Sequence, residues 1–523
     1  MSLDRTKLRW NGWGWAARKD ELAARDDVWA FLAQALEMPA LLATPPRPLD
    51  ELALPPARLS LEDRVELGGI VGTSQIRDSL EERAFHARGR SYRDLLLLRN
   101  GEISPLPDAV IYPRGSDEVL AILALAAERN IGVVPFGGGT CAPPALRGDC
   151  ASVIALDLTE MDHIGSIDPV SLTAEVEAGI YGPALETALK AKGLTLNHCP
   201  AEFEFSTLGG FIAQGDADWL ISAKLATPKG LIEASTPELL ALVKGSRGHL
   251  GIVTEAVLRV QPVAARHEHR AYLFANIGTA MAALRAAAQE DIRAELQLFD
   301  AEHTSFQRRL EGLGKTQSPI AKLAARYAKW RGFTEAPCLM LASFDGDNAH
   351  VAFAQNRFRH LASRFGVLAL GQAAGESFRQ QRFQSYYLRD SLLDRGAGLL
   401  RFELRTSWAK LASVYETCRM ALEQVLSATS PREGAKGLVL GQLVQARSDS
   451  VGIVFTAIFP RAIGADLEQE EKITAVARQA ITMAGGALQG ADQAPQSETG
   501  LGGTLRRALK QSLDPMGVMR PKT

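Results

Sequence analysis

The stretch with the clearest chemical potential is VVPFGGGT, Val133 to Thr140. A buried strand that runs into three glycines and a hydroxyl suits a phosphate, because N–H groups of residues without Cβ atoms can approach the anion together and Thr140 can add a hydrogen bond. The spacing is neither GxGxxG nor that of a P-loop, since no Lys-Ser/Thr pair follows Gly139. Taken alone, the pattern is more typical of a turn, with phosphate binding as the alternative.

Two further stretches place glycines beside hydroxyl or charged side chains. FEFSTLGGFIA, Phe203 to Ala213, sets a hydroxyl pair before Gly-Gly, and GSRGHLGIVTE, Gly245 to Glu255, is a glycine-rich turn into a strand. Alone, the first predicts a tight bend before a helix and the second predicts a hairpin. The alternative for the first stretch is a patch where the backbone meets a flat or charged ligand.

The elements around these stretches alternate between strands and helices. IGVVPF and SVIALDL predict buried strands, and YGPALETALKAKG predicts a helix that stops at Gly193. Ser116 is predicted to cap a helix that runs to about Arg129, with Asp117 and Glu118 in its first turn. After Pro262, amphipathic helices and isolated strands predict a second, α+β domain.

Composition narrows the class of protein. The chain has 523 residues, 58 basic and 60 acidic, and a net charge of −2, so nucleic acid is not expected as a partner. The apolar run from Val119 to Ala127 falls short of the ~18 residues of a membrane span, and we expect no transmembrane segment. Five widely spaced cysteines fit a reducing compartment and no metal site, so a cytoplasmic protein is expected.

Taken together, in this order and spacing, the motifs resemble a known family. VVPFGGGT, ALDLTEMDHIGSIDPVSLTAEVEAGIYGPALE, GLTLNHCPAEFEFSTLGG and GSRGHLGIVTEAVLRVQP are similar to stretches of FAD-binding proteins of the vanillyl-alcohol oxidase / p-cresol methylhydroxylase type. Within that group the chain looks most like the alkyldihydroxyacetonephosphate synthases. The tryptophan-rich RWNGWGW, Arg9 to Trp15, is similar to the start of those synthases, and we interpret it as an anchor on the flavin domain, with an acyl- or alkyl-chain site as the alternative.

The resemblance implies an α+β fold with a two-subdomain FAD-binding domain of the p-cresol methylhydroxylase type, an α+β cap domain and a helical N-terminal extension. We predict the extension at residues 1–104, the FAD-binding domain at 105–262, the cap at 263–484, and a C-terminal segment at 485–523 that packs back on the flavin domain. FAD is the implied cofactor. The implied cofactor-binding residues are Pro135, Gly137, Gly138, Gly139, Thr140, Ser206, Thr207, Gly209, Gly210, Gly245, Gly251 and Ile252.

The chain also departs from the family pattern. After STLGGFIA the family continues with a flavin-contacting segment of the Arg-Ser-Ala-Gly to Tyr-Gly type, which is missing here. Gln297 stands in place of the substrate-phosphate arginine, Val454 or Thr456 in place of a tyrosine, and no histidine follows His360, so the C-terminal histidine cluster is lost. The remaining departures are the prolines after the glycine loop and a basic residue for an acidic one: Pro143, Pro144 and Arg247.

Two classes of function follow from these matches and losses. The favoured one is a divergent synthase homologue that has lost synthase chemistry and binds FAD weakly or not at all. One alternative within this class is a non-catalytic flavin-fold subunit or partner protein, as a homodimer or with a related subunit. The other alternative is an FAD-dependent oxidase or dehydrogenase of a small hydroxy acid. Its catalytic candidates are His198, Gln297 and Arg389. A true synthase is the least favoured reading.

Overall fold

A computed structural model describes residues 3–17, 25–52, 54–104, 106–141, 150–215, 217–313, 326, 330–333, 337–380, 384–489 and 500–519. Pro143 and Pro144 lie outside the described residues. The chain divides into two compact units. The first comprises Met1–Ala16, Pro46–Val263 and Gln493–Thr523, and the second comprises Ala17–Pro45 and Ala264–Asp492. The four segments predicted from the sequence stay a prediction, although the unit boundary at residue 263 falls beside one of their limits.

The described helices and strands alternate along both units. The helices are α1 Asp26–Ala35, α2 Leu61–Val71, α3 Leu80–Phe85, α4 Tyr92–Asn100, α5 Ser116–Arg129, α6 Gly182–Lys190, α7 Leu208–Gln214, α8 Pro237–Val243, α9 Ile277–Gln289, α10 Ala301–Gly312, α11 Asn348–Ser363, α12 Gln372–Gln380, α13 Gln384–Leu393, α14 Leu411–Ala428, α15 Asp466–Ala484 and α16 Gly500–Leu513. The strands are β1 Ile76–Arg77, β2 Ala109–Ile111, β3 Ile131–Phe136, β4 Ser152–Asp157, β5 Ile164–Asp168, β6 Thr173–Glu177, β7 Leu194–Thr195, β8 Leu220–Thr227, β9 Gly230–Ala234, β10 Ile252–Arg259, β11 Gln261–Pro262, β12 Arg266–Phe274, β13 Glu295–Phe299, β14 Cys338–Gly346, β15 Leu368–Gly371, β16 Ala397–Ser407, β17 Leu438–Val444, β18 Ser450–Pro460 and β19 Ala487–Leu488.

The first unit contains a four-stranded sheet and a five-stranded sheet. In the four-stranded sheet, ordered β1-β2-β4-β3, the last three strands are parallel and β1 adds antiparallel at the edge. The five strands of the second sheet, ordered β5-β6-β10-β8-β9, are antiparallel. The apolar runs predicted as buried strands form β3 and β4. Helix α5 packs on them through Ile122 and Leu123, whose side chains are fully buried in the same hydrophobic cluster.

The start of α5 differs from the prediction. Gly115 is the N-cap, and no side chain caps the helix. The hydroxyl of Ser116 instead donates to Glu255 Oε1 on β10 at 2.8 Å, so it is occupied by a tertiary hydrogen bond and the predicted Ser116 cap is wrong. Asp117 and Glu118 do lie in the first turn, where the helix dipole favours acidic groups.

The second unit is built on one antiparallel eight-stranded sheet, ordered β15-β12-β14-β13-β17-β18-β16-β19. Helices pack on it, among them α1, whose Val28, Trp29 and Leu32 are buried in a cluster with strand residues. Sheets and helices in both units confirm the predicted α+β class. Among the helices in the described ranges, none has the length and apolar character needed to cross a bilayer.

Candidate functional site

The VVPFGGGT stretch forms a half-exposed loop at the end of a buried parallel strand. β3 ends at Phe136, and residues 137–140 that follow are partly exposed. Within the described part of the chain, none of the N–H groups of these four residues donates a hydrogen bond. Backbone N–H groups without partners at a strand end can bind an anion, so the loop is compatible with the phosphate alternative.

The FEFSTLGG stretch lies directly against this loop. Thr140 Oγ1 and Ser206 Oγ are 2.9 Å apart. A Cβ on Gly138 would stand 1.6 Å from the carbonyl oxygen of Phe205, and one on Gly137 would stand 2.4 Å from Thr207 Oγ1. Only glycine allows this approach, because any side chain at Gly138 would collide with backbone. The glycines therefore serve packing as well as access to an anion.

A helix begins within this stretch, after the bend that the sequence predicted. Thr207 is the N-cap of α7, and its side chain accepts a hydrogen bond from the N–H of Gly210. The stretch is held from the other side by main-chain bonds from Leu208 N to Ile180 O at 2.9 Å and from Gly209 N to Ala178 O at 2.7 Å. Ser206 and Thr207 are buried by these contacts.

The GSRGHLG stretch completes the arrangement, but it is not a hairpin. It links α8 to β10 and wraps the end of α7, with main-chain bonds from Gly245 N to Ile212 O at 3.2 Å and from Arg247 N to Ala213 O at 3.1 Å. A Cβ on Gly248 would be 2.6 Å from the ring of Pro135, on the strand that feeds the glycine loop. The hairpin prediction failed because the turn connects a helix to a strand rather than two strands.

Gly251 and Ile252, at the end of this stretch, belong to the sheet core. A Cβ on Gly251 would meet Leu225 Cγ on β8 at 2.5 Å, and Ile252 is 1% exposed. The three motifs are thus in contact within the first unit, although they lie far apart in the sequence. The cofactor role of the individual residues stays a prediction.

A buried ionic cluster that the sequence analysis missed lies beneath the glycine loop. Asp157, at the end of β4 and opposite Phe136 in register, is completely buried and pairs with Arg5. Its carboxylate also lies 2.7 Å from His86 Nε2. Arg5 Nη2 donates to the carbonyl oxygen of Gly137 at 2.7 Å and to Tyr181 Oη at 3.1 Å. The only local signal for this cluster was a polar residue that closes an apolar strand.

The ionisation of the cluster follows from its contacts. Burial by itself would raise the pKa of Asp157, but the charge of Arg5 and the hydrogen bond of His86 outweigh burial and hold the pKa well below the ordinary value of 3.8. Burial opposes the charge of Arg5 too, yet Asp157 raises the pKa of the guanidinium further. The pair is therefore ionised at any physiological pH.

The N-terminal RWNGWGW stretch contacts the same region. Arg9 N bonds to Gly14 O at 3.0 Å, which closes a turn. Trp13, only 3% exposed, and Trp15 both meet the ring of Phe205 edge-on, with centroid distances of 5.6 and 5.8 Å. These contacts confirm the interpretation of the stretch as an anchor on the first unit.

The catalytic candidate of the first unit is packed among aromatic rings. His198 lies between β7 and α7, and its ring is 4.9 Å from that of Phe211 and 5.6 Å from that of Trp219. α7 ends at Gln214 and β8 begins at Leu220, so the connection that follows the STLGG helix is short. The loss of a flavin-contacting segment here stays a prediction. Arg247, with a positive φ of 51°, lies in the turn beside the end of α7.

The other two catalytic candidates lie in the second unit. Gln297, on β13, is half-buried; its amide donates to Glu295 Oε1 at 2.9 Å and accepts from Gln442 Nε2 at 3.2 Å. Gln442 faces Val454 across the β17–β18 pair, so Gln297, Gln442 and Val454 share one face of the sheet. Arg389, on α13, is buried with its guanidinium 4.8 Å from the ring of Tyr386.

The match of both units to known sequences defines the class of protein. The FAD binding domain family matches residues 107–233, and the C-terminal domain of FAD linked oxidases matches residues 266–523. The two matches together cover most of the chain and relate it to FAD-binding, FAD-linked oxidases, which supports FAD as its cofactor.

Within that class, the chain is a homologue of alkyldihydroxyacetonephosphate synthase. It is 25% identical to the synthase of Dictyostelium discoideum over 99% of this chain and 93% of that protein. A solved structure of an alkyldihydroxyacetonephosphate synthase matches with a TM-score of 0.87 at 24% identity, covering 100% of this chain and 98% of that one. p-Cresol methylhydroxylase with substrate bound matches with a TM-score of 0.67 at 13% identity over 89% of this chain and 98% of that one, which confirms the fold predicted from the motifs.

Proposed function

We propose that this chain is a flavoprotein that holds FAD at the glycine loop and does not make alkyldihydroxyacetone phosphate. The N–H groups of residues 137–140 and the hydroxyls of Thr140 and Ser206 would hold the diphosphate of FAD non-covalently. When bound, FAD supplies redox chemistry. In the first unit, the chain itself would supply hydrogen-bond donors to the diphosphate. The glycine at position 138 keeps the loop free of a side chain where the loop packs against the backbone of Phe205.

The observation that carries the loss of synthase chemistry is the environment of Gln297. By the resemblance, this position holds an arginine that binds the substrate phosphate. An amide cannot replace the charged, bidentate guanidinium, and the amide of Gln297 is already committed to Glu295 and Gln442. The nearest of these partners is a carboxylate, which repels a phosphate.

The second supporting observation is the side chain at one of the positions that correspond to the family tyrosine. Val454, one of the two positions that correspond to the family tyrosine, lies opposite Gln442 and is 3% exposed, and an isopropyl group neither donates nor accepts a proton. Sequence alone shows that no histidine follows His360. We therefore propose a divergent, non-synthase member of the family that acts as a flavin-fold subunit, in the cytoplasm, as a homodimer or with a related subunit.

The experiment is an assay of the FAD-loaded protein for formation of alkyldihydroxyacetone phosphate, beside a synthase such as that of Dictyostelium discoideum as the positive control. No product is expected from the wild-type chain or from Gln297→Arg, because Gln297→Arg restores one group and leaves Val454 in place. Turnover by the wild-type chain at a rate near that of the control would contradict the proposal. Bleaching of the flavin by a small hydroxy acid would replace the non-catalytic reading with the oxidoreductase one.

A further inference from the structure

The N-terminal segment contacts both halves of the proposed phosphate site. Arg5 lies in a short 3₁₀ turn, Arg5–Lys7, that Asp4 caps through its side chain. From there its guanidinium reaches the carbonyl of Gly137, and eight to ten residues later Trp13 and Trp15 enclose the ring of Phe205. Residues 5–15, which we call the strap, therefore contact both the glycine loop, at Gly137, and the FEFST stretch that packs against it, at Phe205.

The bond from Arg5 fixes a particular peptide plane. In a planar trans peptide the C=O and the following N–H point in opposite directions. Because Arg5 Nη2 holds the carbonyl oxygen of Gly137 at 2.7 Å, the N–H of Gly138 points away from Arg5. Glycine has no intrinsic preference that would keep this orientation, since it populates both signs of φ about equally.

Arg5 is itself held in place from several sides. Its guanidinium pairs with Asp157, which has no exposed surface, and lies 5.5 Å from the ring of Phe85 and 5.7 Å from that of Phe136. The side chain of Arg5 is only 16% exposed. Since Asp157 already neutralises its charge, Arg5 is suited to orienting the loop rather than to attracting an anion.

The geometry points to Arg5 as a positioning residue for the flavin phosphate loop: we propose that the strap sets the donor direction of Gly138 and so tunes the affinity for the diphosphate of FAD. This inference rests on the proposed function, because it requires that the glycine loop holds FAD. It assigns the N-terminal strap a role in cofactor binding in addition to its role as an anchor.

The test compares Arg5→Lys with the matched control Lys7→Ala. Lys7 lies in the same turn, but its side chain is 72% exposed and pairs with Asp4 at the surface. Lysine keeps the charge beside Asp157 and loses the second donor that reaches Gly137. We expect Arg5→Lys to bind FAD about tenfold more weakly, as for one misaligned bond to a charged group, and Lys7→Ala to bind as the wild type does.

A second readout separates positioning from general support of the fold. The ³¹P resonances of the bound FAD diphosphate should shift in Arg5→Lys and not in Lys7→Ala, whereas lost stability alone would leave them in place. If Arg5→Lys does not fold, the double variant Arg5→Gln/Asp157→Asn removes both charges together, and the same weaker binding is expected of it. Unchanged FAD affinity and unchanged ³¹P resonances in a folded Arg5 variant would overturn the inference; a wild-type chain that binds no FAD would instead overturn the proposed function.

Discussion

Replacement of Gly138 by alanine should damage FAD binding while leaving most of the fold intact. The new Cβ would stand 1.6 Å from the carbonyl oxygen of Phe205, 2.7 Å from its carbonyl carbon and 3.2 Å from the Cα of Ser206. All three contacts are with backbone, so no flexible side chain can move aside. Either the glycine loop or the FEFST stretch must shift by more than an ångström.

The magnitude follows from these contacts. Overpacking of this kind typically costs about 1–3 kcal/mol of folding stability. Displacement of the loop also misaligns its N–H donors, and each charge-assisted bond lost costs about 1.5–3 kcal/mol, or roughly ten- to a hundredfold in FAD affinity. In Gly138→Ala the free energy of FAD binding should therefore weaken by more kcal/mol than the free energy of unfolding falls.

The assay is titration of the apoprotein with FAD, monitored by flavin fluorescence, with urea denaturation of each variant. The control is Gly69→Ala in α2, where a Cβ meets nothing within 4 Å. This helical substitution should leave FAD affinity unchanged and raise stability by up to about 1 kcal/mol. The reasoning about the loop is refuted if Gly138→Ala binds FAD as tightly as Gly69→Ala does.

Three other predictions concern the buried charges and the substrate site. Asp300 accepts hydrogen bonds from Tyr415 at 2.6 Å and from Arg419 at 2.7 Å. Because Arg419 would lose its charged partner, Asp300→Asn should lower the free energy of unfolding, measured by urea denaturation, by about 3 kcal/mol. The control is Asp347→Asn at an exposed helix cap, which should cost less than about 1 kcal/mol. Because folding lowers the pKa of Asp157, the ionised carboxylate stabilises the fold fully at pH values above 3.8, the ordinary pKa, and this stabilisation is lost as the pH falls through the pKa of the folded state. Thermal unfolding from pH 5 downward should show this loss in the wild type and a flatter pH profile in Asp157→Asn. Calorimetry should detect no binding of dihydroxyacetone phosphate to the wild type, and a dissociation constant in the range typical of a phosphate-binding enzyme would show that Gln297 does not abolish the phosphate site.

Local patterns were enough to predict the strand that ends at the glycine loop and the helix that begins in the STLGG stretch. Each depends on residues within about ten positions of one another, where apolar runs, glycines and caps act directly. The prediction failed at Ser116, whose local capping pattern was sound. A single hydrogen bond to Glu255, far along the chain, determined the outcome there.

The ionic cluster beneath the loop could not have been predicted in the same way. Arg5, His86 and Asp157 come from three distant segments, and only the register of β4 against β3 brings the carboxylate below the loop. Likewise, nothing in α1 indicates that it packs in the second unit, because an amphipathic pattern shows that a helix face is buried and not which core buries it.

The most direct test of FAD binding at the glycine loop is the visible absorbance spectrum of the purified chain after incubation with excess FAD and desalting. If the glycine loop holds FAD, the bands of oxidised flavin persist in the wild type and disappear in Gly138→Ala. A colourless wild-type protein that is folded by circular dichroism would contradict the claim that the glycine loop holds FAD.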